Sequence, residues 1–329
     1  MPNIYRAAHD GNVDDVRVLV EDHGVDVNRN AREFTTFGGC TPLHLASKEV
    51  HLLVVQYLAE NGANLEATTN PDGYTALHLA SHDGHLLVVQ YLSEIGANLE
   101  ASANLNGYTA LHSASKEGHL LVVQYLAENG ANLEATTNPN GYTALHIASY
   151  KGQLHVVKVL IANGADFEAT STNDKGCTSL HLATYKGHLP IVQHLVENGA
   201  NLEATINGRG YTPLLFATTH GHLPIVQYLV ENGANLEATT NNRGESPLHL
   251  ACLKGHLPVV QFLIAQGADL RAVNRRGESP CLLAMIHYHT AVVMYLLNIL
   301  EARRCHKFVH FLLQRGFWDR SGKKRTRTV

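Results

Sequence analysis

The sequence is poor in residues that cross-link a fold or catalyse reactions. Its 329 residues include five cysteines, charged residues make up 16% of the chain, and the formal net charge is −4. Five widely separated cysteines are an odd number and match no disulfide framework, so we expect a protein of a reducing compartment. The mild negative charge also lacks the basic excess that nucleic-acid-binding domains carry.

Sequence motifs of the common enzyme classes are missing as well. The chain has no glycine-rich phosphate loop, no Gly-x-Gly-x-x-Gly fingerprint, no His-Glu-x-x-His and no Gly-x-Ser-x-Gly. We therefore expect a protein that is not an enzyme, with no catalytic residues, no cofactor and no small-molecule substrate.

Segments that would direct the chain to a membrane are equally scarce. The first residues contain no apolar run, so we expect no signal peptide. One apolar stretch, residues 281–300, approaches the length that crosses a bilayer, but His287, Tyr288 and His289 interrupt it. Because this stretch is in phase with the repeat described next, we interpret it as a buried terminal repeat and expect no membrane contact.

The dominant feature that is present is a repeated unit. The string Gly-Tyr-Thr-Ala-Leu-His at residues 73–78 recurs, with variations, at intervals of 33 to 35 residues. The recurring strings His-Leu-Leu-Val-Val-Gln-Tyr-Leu, as at 85–92, and Gly-Ala-Asn-Leu-Glu-Ala, as at 96–101, complete the unit. The units begin at Gly39, Gly73, Gly107, Gly141, Gly176, Gly210, Gly244 and Gly277. A single core rarely grows beyond about 250–300 residues, so the length also favours growth by repetition.

Each unit predicts two short helices. Thr75 is a suitable N-cap for the first helix, and Gly84 suits its end. A second helix is expected from about His85, and Gly96 is a suitable left-handed stop after it. Such a pair cannot bury its own apolar face, so it must stack on neighbouring pairs.

The unit resembles the ankyrin repeat, whose mark is Thr-Pro-Leu-His-x-Ala at a period near 33 residues. The residues that carry the resemblance are Thr41-Pro42-Leu43-His44-Leu45-Ala46 and Ser246-Pro247-Leu248-His249-Leu250-Ala251. The resemblance covers roughly residues 3–299. It implies an all-α ankyrin-repeat solenoid, in which helix–turn–helix units are stacked and β-turn fingers project from them.

Four segments are expected along the chain. Residues 1–38 are predicted to form an N-terminal capping repeat with a long first finger, and residues 39–299 to form eight ankyrin repeats. Residues 300–316 are predicted to form a C-terminal capping helix. Residues 317–329 are predicted to be a basic tail without fixed structure.

The 22 histidines raise the question of a metal site. Equivalent residues of stacked helices lie about 8–10 Å apart, whereas zinc needs ligand nitrogens within about 2.1 Å of one ion. We therefore expect the recurring first-helix histidines to be neutral and bonded to the neighbouring loop backbone. A less favoured alternative is a metal site of Cys305, His306 and His310. The recurring glutamates at Glu66 and its equivalents are expected to be structural or solvated.

Candidate binding residues are those that vary between units while the scaffold stays constant. The resemblance implies that two kinds of position line the concave groove and the finger side that hold partners: the residue after each leading glycine and the pair that ends the first helix. The partner-binding residues predicted in this way are Tyr74, His82, Asp83, Tyr108, Lys116, Glu117, Tyr142, Tyr150, Lys151, Tyr185, Lys186 and Tyr211.

The tyrosines have two possible roles. Tyrosines spaced at about 10 Å match every third residue of an extended peptide, which rises about 3.3 Å per residue, and tyrosine offers a large contact area with a polar tip. Alternatively, these tyrosines brace the fingers of near-identical, duplicated repeats. The sequence leaves both roles open.

The sequence thus predicts a non-enzymatic scaffold or adaptor that binds another protein, either an extended peptide or a folded surface. We expect a monomer in the cytoplasm or nucleus. The alternative is a nuclear regulatory protein whose basic tail, residues 320–327, serves for import or for nucleic-acid or chromatin association.

Overall fold

The computed structural model describes residues 3–30, 39–172, 176–206 and 208–302. Within these residues the chain forms eighteen α-helices and no β-strand, which confirms the predicted all-α class. The chain divides into two compact units, residues 1–174 (unit 1) and residues 175–329 (unit 2).

Unit 1 contains five helix pairs. Its helices are α1 (Ile4–His9), α2 (Val13–Glu21), α3 (Pro42–Lys48), α4 (Leu52–Glu60), α5 (Ala76–Asp83), α6 (Leu86–Glu94), α7 (Ala110–Glu117), α8 (Leu120–Glu128), α9 (Ala144–Lys151) and α10 (Leu154–Ala162). The first helix of each pair packs on the first helix of the next pair, and second helices pack on second helices.

Unit 2 contains four helix pairs that are stacked in the same way. Its helices are α11 (Ser179–Lys186), α12 (Leu189–Glu197), α13 (Pro213–His220), α14 (Leu223–Glu231), α15 (Pro247–Lys254), α16 (Leu257–Ala265), α17 (Pro280–Ile286) and α18 (Thr290–Ala302). The stacked pairs of both units are those of the predicted solenoid class.

Some predicted features lie outside the described residues. These are most of the long first finger, most of the C-terminal capping helix at 300–316, the basic tail at 317–329, and the possible metal ligands Cys305, His306 and His310. The apolar stretch at 281–300 is divided between α17 and α18. In the part of the chain that the structure describes, no helix combines the length and the apolar character needed to cross a bilayer.

Most of the described first helices begin at a reciprocal cap. In α5, the backbone N–H of His78 donates to the Thr75 hydroxyl oxygen at 3.4 Å, and the backbone N–H of Thr75 donates to His78 Nδ1 at 3.2 Å. This arrangement satisfies backbone donors that a helix start otherwise leaves unpaired. The same box recurs at α3, α7, α9 and α11.

The other nitrogen of the same histidine connects neighbouring repeats. His78 Nε2 lies 2.7 Å from the carbonyl oxygen of Tyr108, and His44 Nε2 lies 3.0 Å from that of Tyr74. Because a carbonyl oxygen only accepts, Nε2 carries the proton and Nδ1 is the acceptor of the cap. Burial lowers the pKa of His44 and of His112 to about 4, so both rings are neutral at pH 7. These bonds confirm the predicted structural role of the histidines.

Histidines at the start of the second helices also connect neighbouring repeats, by bonding to the last turn of the preceding repeat's first helix. His119 Nε2 lies 2.8 Å from the carbonyl oxygen of His82, in the last turn of the preceding first helix. It thereby satisfies a carbonyl that has no partner within its own helix. The contact requires a glycine beside it: Gly84 has φ 79°, and a Cβ atom there would lie 2.4 Å from His119 Nδ1.

The core is a repeated layer of aliphatic side chains. Leu77 of α5 and the residues Val88, Val89 and Leu92 of α6 are at most 2% exposed, and their equivalents recur in the other pairs. Burying one such side chain contributes about 1.5–3 kcal/mol relative to its exposure. This burial requires a neighbouring pair, so stacking is the main source of stability.

We expect Gly84→Ala to destabilise the protein more than Gly96→Ala. Both glycines have a left-handed backbone, which costs an L-residue about 1–2 kcal/mol. Only at Gly84 does the added methyl group also meet the His119 ring; a Cβ at Gly96 has no neighbour within 4 Å. Urea unfolding of both variants measures the difference, and equal losses would show that the close approach of His119 contributes nothing.

We also expect the stability to fall as the pH decreases from about 6.5 to about 4. In this pH window histidines bind protons in the unfolded state, whereas buried His44 and His112 of the folded state do not. Lowering the pH therefore stabilises the unfolded state relative to the folded one. Each histidine contributes a slope of at most about 1.4 kcal/mol per pH unit. His112→Leu copies Leu215, which occupies this position in α13. The slope of the unfolding free energy between pH 6 and 5 should be smaller in this variant, and an unchanged slope would contradict the assignment.

Candidate functional site

The recurring histidines and glutamates hold the scaffold. Both ring nitrogens of a first-helix histidine such as His78 are engaged in hydrogen bonds. Glu66 Oε1 accepts from the backbone N–H of Asn98 at 2.8 Å, and Glu100 Oε1 from that of Asn132 at 2.7 Å. The glutamates are therefore structural, as predicted. Among the described residues, no group of three or more His, Cys, Asp or Glu side chains could hold a metal ion.

Predicted binding residues of two adjacent repeats meet in one groove of unit 1. The groove has a volume of about 340 Å³ and is formed by α5, α7 and their fingers, with Lys48 at the end of α3. We call it the tyrosine groove. Its lining residues are Tyr74, His82, Asp83, Tyr108 and Lys116, which were predicted, together with Lys48, Asp72, His78, Leu79, Asn106 and Ser113.

The two tyrosines of the groove also have structural contacts. The ring centroid of Tyr74 lies 5.7 Å from that of His78, and Tyr74 Oη accepts a hydrogen bond from Asn106 Nδ2 at 3.1 Å. Tyr108 stands in the same relation to His112, at 5.7 Å, and burial raises the pKa of the Tyr108 phenol. Both side chains remain half-buried at the groove surface. The structure thus contains the bracing contacts while leaving the rings available to a partner.

One rim of the tyrosine groove is a network of charged and polar side chains. Lys116 Nζ lies 2.9 Å from Glu117 Oε1, and His82 bridges between Asp83, at 2.8 Å, and Glu117, at 3.6 Å. The hydrogen bond between Lys116 and Glu117 raises the pKa of Lys116 and lowers the pKa of Glu117. Lysine and carboxylate are therefore both held in their charged forms. Glu117 thus lies next to the groove through its contacts with two lining residues.

The other predicted residues of unit 1 belong to the next repeat. Tyr142 is half-buried, with its ring 5.8 Å from that of His146, and Tyr150 is half-buried in α9. Lys151 is exposed and near enough to Glu117 to help lower its pKa. These three residues do not line the tyrosine groove.

In unit 2 the predicted residues lie in an aromatic cluster. Tyr185 is 39% exposed, its ring lies 4.7 Å from the His220 ring, and the Lys186 ammonium lies 5.3 Å from its centroid. Tyr211 is half-buried and packs 5.4 Å from Phe216. The predicted residues Tyr185, Lys186 and Tyr211 are thus joined by Phe216 and His220.

The binding residues predicted from the sequence did not include six that line the groove, Lys48, Asp72, His78, Leu79, Asn106 and Ser113, nor Phe216 and His220 of the cluster. Asp72 and Asn106 directly precede the leading glycines, and Phe216 occupies the variable position of the Leu-His-x-Ala string. Both columns vary between units, as the predicted columns do. That variation was a usable signal, but only the structure shows that these columns face the same surface.

Known proteins with the same architecture match this geometry. A family model of ankyrin repeats in three copies matches residues 3–69, 65–137, 133–206 and 203–274. The crystal structure of the human ASB11 ankyrin repeat domain superposes with a TM-score of 0.60, at 29% identity, over 68% of this chain and 97% of that one. The crystal structure of the ankyrin repeat domain of Bcl-3, described as a unique member of the IkappaB protein family, superposes with a TM-score of 0.58, at 32% identity, over 65% of this chain and 95% of that one.

A curated relative matches over a shorter segment. Alpha-latrocrustotoxin-Lt1a of Latrodectus tredecimguttatus is 44% identical over 63 residues, which are 19% of this chain but 4% of the toxin. That likeness concerns the repeat alone. The family model covers well over half of the chain, and the helix pairs are stacked as in the solved domains. The chain therefore belongs to the ankyrin repeat family, whose domains are generally protein–protein interaction modules.

Proposed function

We propose that the chain is a non-enzymatic adaptor that binds a segment of another protein in the tyrosine groove. The observation that carries the proposal is the convergence of five predicted residues from two adjacent repeats on one surface depression. None of the repeat-to-repeat hydrogen bonds described above uses the side chains of His82, Asp83 or Lys116. His82 contacts Glu117 of the next repeat at 3.6 Å, at the rim of the groove, so these positions can serve a partner.

The composition of the tyrosine groove supports binding rather than catalysis. Aromatic side chains lie beside charged ones, and aromatic anchors with a polar rim are typical of protein interfaces. General acid–base catalysis favours a group whose pKa lies near the working pH. The pKa shifts of Lys116 and Glu117 are in the opposite directions, away from neutrality.

The groove geometry suits an extended peptide as well as a loop of a folded partner. Tyr74 and Tyr108 are equivalent positions of stacked repeats, which lie about 8–10 Å apart. Three residues of an extended chain cover a similar distance. We propose that the adaptor acts as a monomer in the cytoplasm, and that the nucleus is the alternative compartment.

Replacing Tyr74 and Tyr108 together by alanine should weaken partner capture at least tenfold, because buried aromatic anchors each contribute more than about 1 kcal/mol to binding. A photo-crosslinking residue at exposed Asp72, introduced into the chain in the cells that express it, identifies the partner by mass spectrometry. The recovery of that partner and the melting temperature are then measured for each variant.

The matched control is Tyr91→Ala with Tyr125→Ala, which removes two half-buried tyrosines from the second helices of the same repeats. The groove pair should reduce capture with a change in melting temperature similar to that of the control. If capture and melting temperature fall together only in the groove pair, the tyrosines brace the fold. If capture is unchanged, the groove is not the binding site.

A further inference from the structure

The variable columns of the two units carry different charges. In unit 1, α5 and α7 end with acidic residues, at His82-Asp83 and Lys116-Glu117, whereas α3 and α9 end with Lys48 and Lys151. The corresponding residues at the ends of α11, α13 and α15 are Lys186, His220 and Lys254. The charge of the finger residue before the leading glycine differs more clearly between the units. This residue is acidic or neutral in unit 1, at Asp72, Asn106 and Asn140, and basic in unit 2, at Arg209, Arg243 and Arg276.

The carboxylates near these arginines are held at the base of the fingers. Glu245 is 4% exposed, and its Oε1 lies 3.6 Å from Arg243 Nη1. Glu278 Oε2 accepts a hydrogen bond from Asn274 Nδ2 at 2.9 Å. Arg209 and Arg276 are exposed, and no carboxylate of the described residues lies within ion-pair distance of either. The solvent edge of these fingers is therefore cationic.

Backbone hydrogen bonds hold these fingers side by side. The N–H of Asn241 donates to the carbonyl of Arg209 at 2.9 Å, and the N–H of Arg275 donates to the carbonyl of Arg243 at 2.8 Å. The Arg275 side chain adds a hydrogen bond to the carbonyl of Asn241. The arginines therefore follow one another at the spacing of stacked repeats, about 8–10 Å.

The aromatic cluster of unit 2 lies next to these cations. The Tyr185 ring meets the His220 ring at 79° and the Phe216 ring at 86°, both edge to face, while the Phe216 and His220 rings are stacked at 17°. Burial and the charge of Glu245 raise the pKa of Tyr211, and the charges of Arg209 and Arg243 oppose that rise. Both guanidinium groups are thus close to the Tyr211 phenol, at the margin of the cluster.

We propose that this surface of unit 2 binds an extended, acidic segment of a partner protein. We call the surface, formed by Tyr185, Lys186, Arg209, Tyr211, Phe216, His220, Arg243, Lys254 and Arg276, the basic aromatic face. Acidic side chains of the segment pair with Arg209, Arg243 and Arg276, one at about every third residue, since an extended chain rises about 3.3 Å per residue. Apolar side chains between them rest on the aromatic cluster. The proposal goes beyond the tyrosine groove: it adds a second binding surface and names the class of partner that this surface takes.

The geometry favours a peptide over a nucleic acid. Single-stranded nucleic acids bind proteins by stacking bases on the faces of aromatic rings. In the cluster, the Phe216 ring already contacts four rings: it lies nearly parallel to the His220 ring, at 17°, and meets the His181, Tyr185 and Tyr211 rings at 78°, 86° and 51°. What remains is an apolar surface with polar margins, which suits aliphatic or aromatic side chains of a peptide.

The test uses the full chain and a fluorescein-labelled, 15-residue peptide of repeating Glu-Ser-Leu units, with fluorescence anisotropy at 50 mM salt. The double variant Arg209→Glu with Arg276→Glu reverses two exposed charges and spares Arg243, which faces buried Glu245. We expect binding to weaken at least tenfold, and the corresponding Gln-Ser-Leu peptide to bind at least tenfold more weakly than the acidic one.

The matched control is Arg6→Glu with Lys158→Glu, which makes the same change in net charge on exposed residues of unit 1. It should alter the affinity less than twofold, and a photo-crosslinking version of the acidic peptide should label unit 2 between residues 185 and 276. Equal losses in both variants, no loss in either, or labelling only outside this range would overturn the proposal. Tighter binding of a 15-nucleotide polyuridine through the same arginines would assign the face to nucleic acid instead.

The double variant of the tyrosine groove distinguishes this proposal from that for the groove. Tyr74→Ala with Tyr108→Ala should leave the affinity for the acidic peptide within twofold of the unmodified chain. If those tyrosines are needed for the peptide, the basic aromatic face is not its site. If the Tyr74/Tyr108 variant loses capture of the cellular partner but keeps its affinity for the acidic peptide, the two surfaces bind their ligands independently.

Discussion

The structure depends on the requirement that each helix pair be completed by its neighbour. A single pair has too little apolar surface to be stable alone. Burial is not directional, so it does not by itself fix how pairs align. The buried histidine supplies the direction: in α5, Nδ1 of His78 caps its own helix and Nε2 bonds to the next finger. One neutral ring therefore fixes both the start of a helix and the register of the stack.

The same requirement decides where binding residues can lie. Leucines, valines, cap threonines, histidines and finger-base glutamates are constrained by contacts between repeats. Finger tips and the last residues of the first helices have fewer such constraints, so their side chains can differ from repeat to repeat. Tyr74 belongs to both groups, because it packs on His78 while it lines the groove. Bracing and binding are therefore compatible roles for one residue.

Much of the fold followed from the spacing and the caps. Period, helix pairs and neutral histidines could be predicted because each depends on local rules and on the distance between stacked helices. Leu215 shows what the pattern could not supply: α13 lacks the histidine, yet it keeps the Thr212 cap and the stack through apolar packing. The candidate site was predicted by columns, but the sequence did not show which members meet. Tyr142, Tyr150 and Lys151 lie outside the groove, whereas Asp72 and Asn106 complete it.

The sequence alone determined that the chain is a stack of repeated helix pairs, because a motif repeated in phase predicts the same local structure and packing in every copy. Only the tertiary structure decided which side chains share a surface, because that depends on the twist and spacing between repeats. The approach of His119 to Gly84, the burial of Glu245 and the clustering of Phe216 with Tyr185 are such outcomes.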